Sequence, residues 1–81
     1  FVRGYRVQVM ISQNENELTA LKNTLLQFIK EDIYIIFELP NYKLRIGDFT
    51  SRKEAESFQE KIVKLGYRTA WVVPTMIEME I

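Results

Sequence analysis

The feature that most constrains the fold is an internal repeat with a period of 37 residues. Shifting the chain by that distance places YRVQV, which begins at Tyr5, on YKLRI, which begins at Tyr42. The same shift aligns further residues of matching character: Glu17 with Glu54, Leu21 with Phe58, Leu25 with Ile62, Phe28 with Leu65, and Tyr34 with Trp71. A repeat of this length indicates two copies of one supersecondary unit, which pack together to complete a core.

The first copy predicts a strand, a helix and a second strand. Apolar and polar side chains alternate over residues 4–12 with the period of a half-buried strand. Capping residues follow between Ser12 and Asn16, and apolar residues then recur at helical spacing as far as Ile29, which predicts a helix of about four turns. Residues 33–39 are rich in β-branched and aromatic side chains and predict a second strand.

The second copy repeats this order. Residues 42–47 alternate like a strand, and Ser51 with Glu54 forms a capping box at the start of a helix whose apolar stripe runs to Leu65, before Gly66. Residues 67–73 predict a last strand, which Pro74 ends. The pattern assigns no conformation to the tail that follows.

Two such units joined by a tight turn at Pro40 and Asn41 predict an α+β fold of the ferredoxin-like βαββαβ type. Its four-stranded antiparallel sheet has both helices on one face, with the first and third strands at the centre. We expect residues 1–81 to form a single domain, with a core over about residues 4–73 and a C-terminal tail at 74–81.

Helices on one face leave the other face of the sheet uncovered. Strand alternation predicts that the core side holds Val7, Val9, Ile11, Ile33, Ile35, Phe37, Leu44, Ile46, Ala70 and Val72. It predicts that the open face holds Arg6, Gln8, Met10, Tyr34, Ile36, Glu38, Lys43, Arg45, Thr69, Trp71 and Val73. A tryptophan and a tyrosine beside apolar neighbours are more apolar surface than solvation requires, so we expect this open face to bind a ligand.

Composition excludes several kinds of site. The chain has no cysteine and no histidine, which removes disulfides, thiol nucleophiles and the usual zinc ligands. Eleven basic residues balance eleven acidic ones, so no net field attracts nucleic acid or an anionic membrane. The apolar runs are too short to span a bilayer, and because the chain begins at Phe1 without a methionine, we expect a module of a longer protein.

Four segments, in this order and spacing, resemble the SPOR domain family: YRVQV, YKLRIGDF, SRKEAE and LGYRTAWVV. The resemblance covers roughly residues 4–73. It implies the fold described above and the non-catalytic binding of peptidoglycan glycan strands, preferably strands without stem peptides, on the open face. It also implies a place on the periplasmic side of the bacterial envelope, where the domain would target its parent protein to the cell wall or division site.

The resemblance identifies Gln8 as a typical glycan contact and Lys43 and Arg45 as further participants. It also shows departures, since Met10 stands where a small residue is common, and Asn41 followed by Tyr42 stands where some members have a loop aromatic. A pyranose has an apolar face and a polar rim, which suits an aromatic platform beside amide and guanidinium groups. The candidate glycan-binding residues are Gln8, Arg45, Lys43, Trp71, Tyr34, Arg6, Met10 and Tyr42.

We expect no cofactor, no metal, and no contact of this domain with nucleic acid or membrane; division or envelope proteins would be reached through the rest of the parent chain. Three alternatives use the same face. An RNA-binding domain shares the fold, but the aromatic-rich signature on its third strand and a basic excess are absent. A glycosidase needs two carboxylates, and only Glu38 and Asp48, the latter in a predicted loop, lie near the open face. A protein-binding module would use Trp71 as its anchor.

Overall fold

The computed structural model describes residues 1–78, which form the elements in the order that the repeat predicts. Their bounds are β1 Val2–Ser12, α1 Glu15–Leu25, β2 Ile33–Glu38, β3 Asn41–Phe49, α2 Arg52–Lys64 and β4 Trp71–Ile77. All strand pairs are antiparallel, and the order across the four-stranded sheet is β2-β3-β1-β4. The α+β, ferredoxin-like arrangement with β1 and β3 at the centre is therefore confirmed.

The core lies between the sheet and both helices, which pack on the same face. Side chains from all these elements form one apolar cluster: Val7, Val9, Leu18, Leu21, Leu25, Ile29, Ile33, Leu44, Ile46, Phe58, Ile62 and Ala70. The residues that the repeat aligns in the helices, Leu21 with Phe58 and Leu25 with Ile62, occupy equivalent places in this cluster. No helix or strand among residues 1–78 covers the opposite face of the sheet.

Both helices begin at a side-chain cap. The Asn14 carboxamide oxygen accepts a hydrogen bond from the Asn16 N–H at 2.9 Å, and the Ser51 hydroxyl accepts one from the Glu54 N–H at 3.2 Å. The second contact is the hydroxyl half of the predicted capping box. Beyond α2, Gly66 has a φ of 114°, the backbone conformation that favours glycine after a helix.

The first helix is shorter than the apolar periodicity predicts, whereas the second ends within one residue of its predicted end. The α1 helix ends at Leu25 instead of Ile29, and the Phe28 N–H donates to the Leu25 carbonyl in a tight turn. Phe28 lies beyond the end of α1 and is 58% exposed, and its repeat equivalent Leu65, which caps α2, is 42% exposed. Ile29 still reaches the core from the turn, so the pattern identified a buried residue but assigned it to the wrong element.

The last strand lies further along the chain than predicted. Residues 67–70 form a turn, in which the Ala70 N–H donates to the Tyr67 carbonyl at 3.2 Å. Pro74 does not end β4 but lies within it, opposite Tyr5. Because β4 is an edge strand, a missing N–H there does not break a second ladder of hydrogen bonds. Part of the predicted tail is therefore strand, whereas residues 79–81 lie outside the described residues.

The extension of β4 buries Ile77 completely. A side chain at Gly4 would collide with it, because a Cβ placed there would lie 2.5 Å from the Ile77 Cδ1 and 2.7 Å from the Phe49 carbonyl oxygen. Gly4 is thus a position where the close approach of β3 and β4 to β1 leaves no room for a larger residue.

Two bulges interrupt the pairing of β1 with β3. Between Gln8 and Met10, β1 advances by two residues while β3 moves by one, from Arg45 to Leu44, so β1 carries an extra residue. Nearer the start of β1 the extra residue is on β3, close to Gly47, whose φ is 85°. The first bulge reverses the alternation of side chains over the rest of β1.

Candidate functional site

One row of side chains crosses all four strands on the open face of the sheet. The register pairs Tyr34 of β2 with Arg45 of β3, Arg45 with Gln8 of β1, and Gln8 with Trp71 of β4. The repeat relates Gln8 to Arg45 and Tyr34 to Trp71. The two central strands, β1 and β3, are equivalent in the repeat and run antiparallel to each other. The row therefore lies about an approximate two-fold axis, with a polar pair at its centre and an aromatic residue at each end.

Gln8 is buried at the centre of this row, with only 6% of its surface exposed. The Arg45 Nε donates to the Gln8 Oε1 at 2.9 Å. Because a guanidinium only donates, the amide oxygen must face Arg45 and the amide nitrogen must point elsewhere. Within residues 1–78 this nitrogen binds no acceptor, and it is not sealed from solvent. It can therefore donate to a ligand on the face.

Trp71 provides the accessible aromatic surface of the row, with 59% of its surface exposed. Its pairing with Gln8 is the last between β1 and β4, so the next residues of β1 have no strand beside them on that side. A cleft of about 440 Å³ opens at this place. It is lined by Gln8, Val9, Met10, Ile11, Thr69 and Trp71.

At the β2 end of the row, Tyr34 belongs to an ion-pair cluster. The Arg6 Nη2 donates to the Asp48 Oδ1 at 3.0 Å, and the Tyr34 hydroxyl donates to the other Asp48 oxygen. The bond to that carboxylate raises the pKa of Tyr34 above its ordinary value, and burial adds to the effect. The Arg6 guanidinium also lies 3.9 Å from the centre of the Tyr34 ring. Tyr34 therefore has one ring face covered by a cation, unlike Trp71.

A second ion-pair cluster lies on the other side of the row. The Glu38 Oε1 accepts a hydrogen bond from the Arg45 Nη2 at 3.1 Å and lies 3.2 Å from the Lys43 Nζ. The hydrogen bond from Lys43, followed by the charge of Arg45, lowers the pKa of Glu38. The three cationic residues predicted on the open face are thus all paired with carboxylates. Sequence reasoning missed these pairs, because they depend on the register between strands.

The bulge in β1 exchanges the predicted faces of two residues. Met10 pairs with the buried Leu44 and packs against the core, so its placement on the open face was wrong. Ile11 pairs with Lys43 and is 51% exposed, although alternation had placed it in the core. Met10 still contributes to the wall of the cleft, where a role in binding remains a prediction.

Tyr42 also lies on the helix-covered side of the sheet. It pairs with Ser12 and Phe37, its ring centre is 4.7 Å from that of Phe37, and it packs against the apolar core. The structure therefore does not bring it together with Gln8 and Arg45. Phe37, predicted in the core, is 52% exposed beside it.

The two acids considered for catalysis are both held in ion pairs. Asp48 lies in β3, which continues past the bulge at Gly47 as far as Phe49, and not in the predicted loop. A general acid needs a raised pKa, whereas the pKa of Glu38 is lowered. Across residues 1–78 there is no group of three or more side chains suited to hold a metal ion. The same part of the chain has no helix with the length and apolar character needed to cross a membrane.

Comparison with known proteins identifies a matching family and a solved structure of similar fold. The family model described as the SPOR domain matches residues 2–74. No curated protein sequence gives a match. The chain is similar to the solution structure of the peptidoglycan binding domain of the Bacillus subtilis cell wall lytic enzyme CwlC, with a TM-score of 0.76 and 21% sequence identity. The alignment covers 94% of each chain, which shows a shared fold.

Proposed function

This chain belongs to the SPOR domain family, and we propose accordingly that it is a non-catalytic domain that binds peptidoglycan through the open face of its sheet. The similar fold of a peptidoglycan binding domain from a cell wall lytic enzyme supports this ligand class. The parent protein would then act in the bacterial envelope, on the periplasmic side, and the domain would direct it to the cell wall or division site.

The observation that carries the proposal is the row through Gln8 and Trp71. An exposed indole can stack on the apolar face of a pyranose, and the Gln8 amide nitrogen can donate to a hydroxyl or N-acetyl oxygen beside it. Both groups border the cleft of about 440 Å³ beside the end of β4. The same proposal gives secondary roles in glycan binding to five further candidates: Arg6, Lys43, Arg45, Tyr34 and Met10.

We further propose that the face prefers glycan strands from which the stem peptides have been removed. Each stem peptide is attached to a muramic acid of the strand, so peptides would come between a strand lying flat and the sheet. Several saccharides would have to bind together, because each stacking and hydrogen-bonding contact on an open surface contributes little, and we expect an affinity on the order of micromolar.

Co-sedimentation with purified peptidoglycan sacculi, before and after an amidase removes the stem peptides, tests the proposal. We expect more of the domain to sediment with the treated sacculi. The Gln8→Ala variant should sediment less, while Gln27→Ala, a substitution of an exposed glutamine in the turn after α1, should behave as the unaltered domain. Circular dichroism of each variant shows whether the fold is kept.

A domain that stays in solution with both preparations would contradict peptidoglycan binding. Equal sedimentation with both would contradict only the preference for stripped strands. A Gln8→Ala variant that sediments as much as the unaltered domain would show that the binding site lies away from the row.

A further inference from the structure

We propose that Lys43 and Arg45 form a carboxylate-binding site, which Glu38 occupies in the free domain and which the lactyl carboxylate of a peptide-free muramic acid takes over on binding. The inference rests on the proposed function and specifies which ligand group is read. Removing a stem peptide by hydrolysis of its amide bond leaves one free carboxylate on that muramic acid. An intact strand has an uncharged amide at the same atom.

The geometry of the site is that of an anion held by two cations. The Lys43 Nζ and the Arg45 Nη2 approach the same oxygen of Glu38, at 3.2 and 3.1 Å. Arg45 is held in place independently, because its Nε donates to the buried Gln8. Its side chain is only 14% exposed, so the guanidinium is positioned before any ligand arrives. Charge-assisted bonds of this kind are stronger than those between neutral groups.

Glu38 is suited to leave this site. It is the last residue of the edge strand β2, and its side chain is 50% exposed. Only its Oε1 makes the contacts with the two cations. Exposed pairs of this kind contribute little to stability, so another carboxylate can replace Glu38 at small cost.

The other carboxylate of the open face is held more firmly. Asp48 accepts hydrogen bonds through both oxygens, from Arg6 on one side and from Tyr34 on the other. Its side chain is 28% exposed, and it lies on the central strand β3. A ligand carboxylate would have to replace the contacts of both Asp48 oxygens at once, with Arg6 and with Tyr34. The structure therefore assigns the exchangeable site to Lys43 and Arg45, and not to Arg6.

This site also lies next to the row that binds the sugar. Arg45 belongs to both, since one of its nitrogens bonds Gln8 and another bonds Glu38. A saccharide positioned over Gln8 would bring a neighbouring carboxylate within reach of Arg45 and Lys43. The preference for stripped strands then has an attractive component, in addition to relief from the bulk of the peptide.

Calorimetry with soluble, amidase-treated glycan strands tests the inference, using the same strands after conversion of their carboxylates to methylamides as the second ligand. We expect the unaltered domain to bind the carboxylate strands about five-fold more tightly than the methylamide strands, the ratio that one exposed ion pair supplies. Glu38→Gln should bind the carboxylate strands about three-fold more tightly than the unaltered domain and the methylamide strands equally well. Lys43→Gln should lose most of the discrimination.

Glu60→Gln is the matched control, because Glu60 is exposed on α2 and its substitution changes the net charge identically. Equal binding of both ligands by the unaltered domain would overturn the inference but leave the proposed function standing. The inference would also be overturned if Glu38→Gln bound the carboxylate strands no more tightly than the unaltered domain does. An equal gain in affinity in Glu60→Gln would overturn it as well. Binding of neither ligand would overturn both the inference and the proposed function.

Discussion

At the scale of single residues, the open face combines one accessible aromatic side chain with polar groups whose directions are fixed by their neighbours. Alternation along β1, β3 and the predicted last strand was sufficient to predict that Gln8, Arg45 and Trp71 share this face. It was insufficient to predict that Tyr34 is covered by Arg6, since this depends on which side chains meet across strands. The residues were therefore predictable, but the ion pairs that control their availability were not.

Trp71 is the only tryptophan of the chain, so its fluorescence reports on the site without interference. We expect stripped glycan strands to shift its emission to shorter wavelengths, because a stacked sugar excludes water from the indole. Trp71→Ala should weaken binding about ten-fold, or ~1.4 kcal/mol, with little change in stability. Phe28→Ala is the control, since Phe28 is exposed to nearly the same extent, 58% against 59%, but lies in the turn after α1. An emission maximum that does not move on saturation would argue against stacking.

The bond from Tyr34 to Asp48 predicts a dependence of stability on alkaline pH. The pKa of Tyr34 is raised above its ordinary value of 10.0, so its contribution to stability is fully present below pH 10 and is lost as the pH rises through the higher folded-state pKa. Tyr34→Phe should therefore lower the melting temperature at neutral pH, and the difference from the unaltered domain should shrink in strong alkali. Thermal unfolding across this pH range, with Tyr67→Phe as the control, measures the effect. A difference independent of pH would show that the hydroxyl bond is not its cause.

At the scale of elements, the bulge in β1 explains most of the errors in the predicted faces. A bulge changes which residues face the core without changing the residue types, so Met10 and Ile11 fit either assignment equally well in the sequence. The second bulge has a visible signal, because Gly47 interrupts an otherwise regular strand. A glycine at the end of a predicted strand can therefore signal irregular pairing that alternation alone does not show.

The end of β4 yields a prediction about stability. Ile77 is completely buried, whereas the adjacent Met76 is 54% exposed. Ile77→Ala should lower the free energy of unfolding by about 2–5 kcal/mol, the usual cost of removing a buried aliphatic side chain. Met76→Ala should cost less than about 1 kcal/mol. Urea denaturation of both variants makes the comparison, and equal costs would show that the strand beyond Pro74 does not contribute to the core.

At the scale of the whole molecule, the repeat carried the fold prediction further than any single element. Leu25 and Ile62 are buried at equivalent places, and Gln8 and Arg45 form the central pair, because two similar units must pack about a common axis. The ends of the elements were less predictable, since Phe28 and Leu65 continue the apolar pattern after the helix has ended. The apolar pattern alone does not show at which residue a helix ends.

The charge balance of the molecule predicts a weak dependence of binding on salt. The chain has zero formal net charge, and on the open face Arg6, Lys43 and Arg45 are paired with Asp48 and Glu38. Binding of stripped glycan should weaken only a few-fold as salt is raised from about 50 to 200 mM, whereas neutralising 6–10 phosphates of a nucleic acid would cost about a thousand-fold or more. Titrations at several salt concentrations measure the slope. A slope as steep as the neutralisation of 6–10 phosphates gives would favour a nucleic acid such as RNA as the ligand.

The position of Pro74 within β4 has a consequence for self-association. An exposed sheet edge is a template on which a second copy can add a strand, and extended additions of this kind lead to aggregates. A proline in an edge strand turns its ring nitrogen outward, so an incoming strand finds no hydrogen-bond donor there and meets the ring instead. The edge formed by β4 therefore lacks a hydrogen-bond donor near its middle, which disfavours the addition of a strand from a second copy along that side.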